Sequence, residues 1–220
     1  MNLLVQKRLN YIFRNPALLE AALTHRSVSG SRNNERLEFL GDAMLNAIIA
    51  QALYEAYPKA CEGELSRLRA TLVKGDTLAS IAAELGLGEQ LLLGVGEKKS
   101  GGFRRTSILA DALEALLAAV YLDSDFNTCR LVIQRLFQSR FETLPPVEEL
   151  KDAKTRLQEY LQARQQPLPV YTVQSVAGEP HERRFIVECA IGDMMTRATG
   201  TSRRKAEQEA ARKALEKIVQ

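Results

Sequence analysis

The spacing of apolar residues changes once along this chain, at Pro145-Pro146, and that change divides it into two kinds of fold. Before the prolines the apolar residues recur at helical spacing and nothing alternates as a half-buried strand does. Asn15-Pro16 is a helix start, with Asn as cap and Pro in the first turn. Ala17–Leu23 follows. Glu35–Tyr57 reads as a long amphipathic helix stopped by Pro58. Glu64–Leu85 continues the pattern until Gly86 and Gly88 end it. Residues 98–105 read as a basic, glycine-containing loop, and Ile108–Leu122 and Thr128–Phe141 as helices. After the prolines, Ala153–Arg164 is helical. Val170–Val176 and Arg184–Ala190 are strand-like, Thr196–Thr199 is a third strand, and Ser202–Val219 is a closing helix capped by Ser202. The expectation is an all-α domain over 1–144, a linker over 145–151 and a small α+β (α-β-β-β-α) domain over 152–220.

Charge follows the same division. Residues 1–150 hold 17 Lys/Arg against 18 Asp/Glu, and residues 151–220 hold 13 against 9. The net charge of +3 therefore comes from the C-terminal part, which points to a polyanion-binding module attached to an acid-bearing one. No stretch approaches the about 20 apolar residues of a membrane span, and no signal peptide is read at Met1–Tyr11. Cys61, Cys129 and Cys189 are odd in number and far apart, which argues against a disulfide framework or a zinc site. The expected setting is a reducing cytoplasm.

Two short blocks carry the chemistry. The first is Asn34-Glu35-Arg36-Leu37-Glu38-Phe39-Leu40-Gly41-Asp42-Ala43, and the second is Asp111-Ala112-Leu113-Glu114-Ala115-Leu116. At about 3.6 residues per turn, Glu35, Glu38 and Asp42 share one helix face, and Asp111 and Glu114 share another. Leu37, Leu40, Leu113 and Leu116 point elsewhere and anchor both helices. One such acid set alone is usually a solvated face. Two sets on apolar helices are costly unless something positive meets them. Oxygen-only ligands suit a hard divalent cation, Mg²⁺ with Mn²⁺ as substitute, and the acids can hold one ion or, with substrate oxygens, two. Gly41 is costly inside a helix, and a close helix approach, within the chain or across a dimer interface, would justify it. No organic cofactor and no serine–histidine nucleophile system is indicated. His25 reads as structural.

These motifs resemble the bacterial ribonuclease III family. Residues 35–43 look like its signature helix. Thr24-His25-Arg26-Ser27, Gly101-Gly102-Phe103-Arg104-Arg105 and Ser107-Ile108-Leu109-Ala110-Asp111 are similar to its flanking segments. Lys154-Thr155-Arg156-Leu157-Gln158-Glu159 and Ser202-Arg203-Arg204-Lys205-Ala206-Glu207 resemble the first and last helices of a double-stranded-RNA-binding domain. The resemblance spans nearly the whole chain. It implies an all-α endonuclease domain acting as a homodimer. Such an enzyme hydrolyses double-stranded RNA with a divalent metal, leaving 5′-phosphate and 3′-hydroxyl ends with short 3′ overhangs. Precursors of ribosomal RNA, with some mRNA and tRNA precursors, are the implied substrates.

The resemblance also implies roles: Glu38, Asp111 and Glu114 as metal ligands, and Asp42 and Glu114 as catalytic acids. A further acid falls on Glu62 or its neighbour Glu64, and Glu35 is accessory. In the second domain it places Thr155, Gln158, Glu159 and Gln162 on one RNA minor groove and His181 on the next, with Arg203, Arg204 and Lys205 on the phosphates between. The helix dipole at the start of the last helix favours those phosphates as well. The alternative is a non-catalytic RNA-binding regulator on the same fold, which the four intact central acids argue against. A diphosphate–Mg²⁺ enzyme would show aspartate-rich runs and has no use for residues 151–220.

Overall fold

A computed structural model describes residues 3–28, 30, 32–146, 151–179 and 183–219. The chain forms two compact units, Met1–Pro145 and Pro146–Gln220.

The first unit is helical: α1 (Leu3–Leu9), α2 (Pro16–Leu23), α3 (Glu35–Ala56), α4 (Glu62–Leu72), α5 (Gly75–Leu85), α6 (Leu87–Gln90), α7 (Val95–Lys99), a 3-10 turn at Gly102–Arg104, α8 (Thr106–Asp123) and α9 (Phe126–Glu142). Asn15 caps α2 by accepting the Ala17 N–H, and Asp125 caps α9 by accepting the Thr128 N–H. Helix α8 is the axis of this unit. Ala112, Leu113 and every residue from Ala115 to Val120 are fully buried, and α3, α5 and α2 pack around it. Its small residues let neighbours come close, and burial on nearly all sides explains its lack of a polar stripe.

The structure departs from the expected 64–85 helix. That segment is two helices, broken at Val73 and Lys74, where Lys74 is extended (φ −66°, ψ 148°) and α5 restarts at Gly75. The 98–105 loop is also more ordered than expected, with α7 and the 3-10 turn inside or overlapping it. One isolated parallel bridge, Thr24 with Leu92, ties the segment after α2 to the one after α6.

The second unit is α-β-β-β-α. It comprises α10 (Ala153–Gln162), β1 (Val170–Ala177), β2 (Arg184–Ile191), β3 (Met194–Gly200) and α11 (Arg203–Val219). The strands form an antiparallel sheet in the order β1-β2-β3. Both helices pack on one face of it, over a core of Leu157, Leu161, Cys189, Ala198, Ala210, Ala211 and Ala214. Alanines at 206, 210, 211 and 214 bring α11 flat against the sheet. Ser202 caps α11, its Oγ accepting the Lys205 N–H at 3.2 Å.

Candidate active site

The site exists because α3 and α8 touch without a side chain between them. A Cβ on Gly41 would fall 1.9 Å from the Glu114 carbonyl oxygen, inside any allowed contact. Glycine alone fits, and the close approach sets the acids of α3 beside those of α8. Single carboxylate oxygens of Glu38, Asp111 and Glu114 all lie within 4.8 Å of one another.

All three are half-buried, and all three pKa values are raised. Burial is the largest cause for Glu114, followed by the charges of Asp42, Asp111 and Glu38, and together they lift it to about 7. Glu38 rises through burial, then through Asp111 and Glu35. Asp111 rises through burial, against the opposing charges of His25 and Arg26. Clustered, half-buried acids that resist ionisation are a donor set fit for a hard cation, because a cation stabilises the charged forms that burial disfavours.

Asp42 stands outside the group of three and is exposed. Asn46 Nδ2 donates to its Oδ1 at 2.8 Å and to its backbone oxygen at 2.9 Å. Its charge nonetheless reaches Glu114. Glu35 is turned to Arg26 (3.3 Å) and accepts from Asn33. At the start of α4, Glu62 accepts from Ser66, while Glu64 reaches back to the Cys61 N–H at 2.9 Å. Neither joins the group of three.

Beside the acids lies a polar cavity of about 400 Å³ whose walls include His25, Arg26, Asn34, Glu38, Glu97, Arg105, Ser107 and Asp111. Gly94 presses on the Ser27 carbonyl, a position that excludes a Cβ, and Gly102 lies against the Glu97 side chain. The close approach at Gly94, whose N–H donates to Ser27 Oγ at 2.9 Å, holds the 94–105 segment against Ser27. The Ser27 N–H and hydroxyl both lie within hydrogen-bond distance of His25 Nδ1, at 3.2 and 2.8 Å. Glu97 pairs with Arg105 at 2.8 Å. Glu97 and Asn34 were not singled out from the sequence as site residues. No periodicity marks Glu97, and only the clustered glycines around it hint at a built loop.

In the second unit, Gln158, Glu159 and Gln162 are exposed on α10, and Thr155 is half-buried, its N–H taken by the Asp152 cap. Glu159 pairs with Lys151. Arg204 and Lys205 are exposed at the start of α11. Arg203 instead pairs with Glu207, which also holds Lys154 at 2.7 Å. Burial opposes the charge on Glu207, but these two partners outweigh it and its pKa falls. His181 lies outside the described residues.

The ribonuclease-III-like family model matches residues 15–140, and the double-stranded RNA binding motif matches residues 153–218. Ribonuclease 3 of Nitrosococcus oceani is 58% identical over 213 residues, 95% of this chain and 91% of that protein. The chain belongs to the ribonuclease III family. Ribonuclease 3 of Vibrio cholerae is 54% identical over 220 residues, 99% of this chain and 97% of that protein. A solved nuclease domain of ribonuclease III from Campylobacter jejuni, 42% identical, covers 64% of this chain and 97% of its own, with a TM-score of 0.62. This ribonuclease III chain is thus an endoribonuclease with a helical nuclease domain followed by a double-stranded-RNA-binding domain.

Proposed function

We propose that this chain cleaves double-stranded RNA by metal-dependent phosphodiester hydrolysis, leaving 5′-phosphate and 3′-hydroxyl ends with short 3′ overhangs. The convergence of Glu38, Asp111 and Glu114 within 4.8 Å carries this reading. Those three would hold Mg²⁺, or Mn²⁺ in its place. A divalent cation bound there supplies Lewis acidity toward the phosphoryl oxygen and a lowered pKa for water. Asp42, exposed beside Glu114, is free of the ligand group and positioned to take or give a proton at the reacting oxygens. Glu114 serves both as ligand and as catalytic acid. Glu35, Glu62 and Glu64 are accessory at most, since each already has a protein partner, Arg26, Ser66 and the Cys61 N–H respectively.

The second domain delivers the duplex. Gln158, Gln162, Thr155 and Glu159 on α10, with His181, fit the wide minor groove and its 2′-hydroxyls. Arg204 and Lys205, with Arg203, fit the phosphates at the α11 N-terminus. Residues 145–151 act as the linker between 1–144 and 152–220.

The nuclease domain works as a homodimer in this reading. Phe39 is 81% exposed on α3. The same helix lends Leu37 and Leu40 to an apolar cavity of about 720 Å³ shared with Leu18, Ala21 and Val28. An exposed aromatic beside an apolar hollow is self-complementary, as a two-fold contact requires. The Campylobacter jejuni domain is described as having a region involved in dimer formation. Among the described residues no helix is long and apolar enough to cross a membrane. A cytoplasmic enzyme processing ribosomal, messenger and transfer RNA precursors fits these properties.

Incubation with a long perfect RNA duplex, with and without Mg²⁺, followed by end-group analysis tests the reading. Short duplex products with 5′-phosphates, formed only with the metal, are expected. Metal-independent cleavage, or 3′-phosphate ends, would refute it.

A further inference from the structure

Asn34 is 2% exposed, yet its side-chain Nδ2 has no hydrogen-bond partner. Its backbone is fully engaged. The Asn34 N–H donates to the Thr24 carbonyl at 2.9 Å, and its own carbonyl accepts the Glu38 N–H at 2.8 Å. The carboxamide does not cap α3, although Asn34 sits at the capping position. Buried donors are nearly always paired, so an orphan of this kind asks for a ligand.

Asn34 is among the residues that line the polar cavity, with Glu38 and Asp111. The cavity's cationic donors already face carboxylates, Arg26 with Glu35 and Arg105 with Glu97. Asn34 Nδ2, by contrast, is a buried donor that faces no acceptor. We infer that Asn34 is a substrate contact of the nuclease site, donating its N–H to a phosphate oxygen of the strand being cut. This rests on the reading of the site as an RNA-cleaving centre, because hydrolysis at Glu38 and Asp111 brings a phosphodiester to that wall. A neutral amide suits the place. It offers a hydrogen bond without setting another positive charge beside a cation site, and it lies one turn before Glu38, so α3 positions the two together.

The test uses the full chain, Mg²⁺ and a long RNA duplex under single-turnover conditions. Asn34→Ala is expected to slow cleavage about 100-fold, as loss of one preorganised donor does. Asn34→Asp, which keeps the shape but lacks the N–H, should do no better. Calorimetric Mg²⁺ affinity of RNA-free Asn34→Ala and its Tm should match wild type, since the donor has no partner in the free protein. Wild-type cleavage by Asn34→Ala, rescue by Asn34→Asp, or a rate loss matched by losses of Mg²⁺ affinity or Tm would overturn the contact. An inert wild type would overturn both the contact and the nuclease reading, whereas an active wild type beside an equally active Asn34→Ala overturns the contact alone.

Discussion

Gly41 of α3 lies directly against the backbone of Glu114 of α8, with 1.9 Å between the position of a Cβ and the Glu114 carbonyl oxygen. The nuclease centre depends on that contact. The α3 acids meet the α8 acids only because one residue of the crossing has no side chain. Gly41→Ala should push the helices apart and cost about 1–3 kcal/mol, the range for overpacking a tight core. Even where the variant folds, cleavage and Mg²⁺ binding should both fall sharply. Thermal unfolding together with Mg²⁺ calorimetry checks this, and a wild-type Mg²⁺ affinity in Gly41→Ala would refute the dependence.

The raised acids make the metal-free protein sensitive to pH. Glu114 titrates at about 7 in the folded chain against 4.5 ordinarily. A carboxyl whose folded pKa is raised binds protons more tightly folded than unfolded. Its stabilising contribution is therefore complete below pH 4.5 and is lost as pH rises through 7. Glu38 and Asp111 are shifted in the same direction. In Glu114→Gln this loss is absent, so without metal its Tm should exceed wild type at pH 8 and lose that advantage at pH 4. Melting curves in chelator across that range decide it. An equal difference at both pH values would show that the raised titration of Glu114 is not the cause.

Phosphate contacts from α11 should appear as salt dependence. Each lost Lys or Arg contact lowers the slope of log affinity against log salt by about 0.7–0.9. Arg204→Ala with Lys205→Ala should weaken duplex binding at physiological salt and flatten the slope by about 1–2. Both are exposed and start the helix. An unchanged slope measured by filter binding would remove them from the interface.

Removal of residues 151–220 should separate delivery from chemistry. The nuclease unit, Met1–Pro145, has its own core. It should keep some cleavage at low salt while losing most duplex affinity at physiological salt. Unchanged affinity in the truncated chain would contradict the division of labour.

Helices α3 and α8 and the α-β-β-β-α order were legible because long amphipathic or apolar runs and β-rich runs carry strong periods. The acids of Glu38, Asp111 and Glu114 were legible as two helix faces, and Gly41 as a glycine in need of a reason. That the reason is Glu114 of the same chain was not, since spacing within one helix says nothing of what crosses it. The break at Val73-Lys74 is marked only by Gly75, and the apolar period runs through it with no proline, so the sequence reads as one helix. Glu64 and Glu62 are two residues apart and alike in sequence. Only the turn geometry commits Glu64 to the Cys61 N–H. Asn34 and Glu97 were hidden because their surroundings come from the Thr24–Ser27 and 94–105 segments, distant in sequence from α3.

The most direct measurement sets cleavage against binding in one variant. Glu114→Gln keeps size and packing while removing a carboxylate from the group of three. With Mg²⁺ and a long perfect duplex, the expected result is binding near wild type and no detectable cleavage. Cleavage by Glu114→Gln at the wild-type rate would contradict the assignment of Glu38, Asp111 and Glu114 as the nuclease centre.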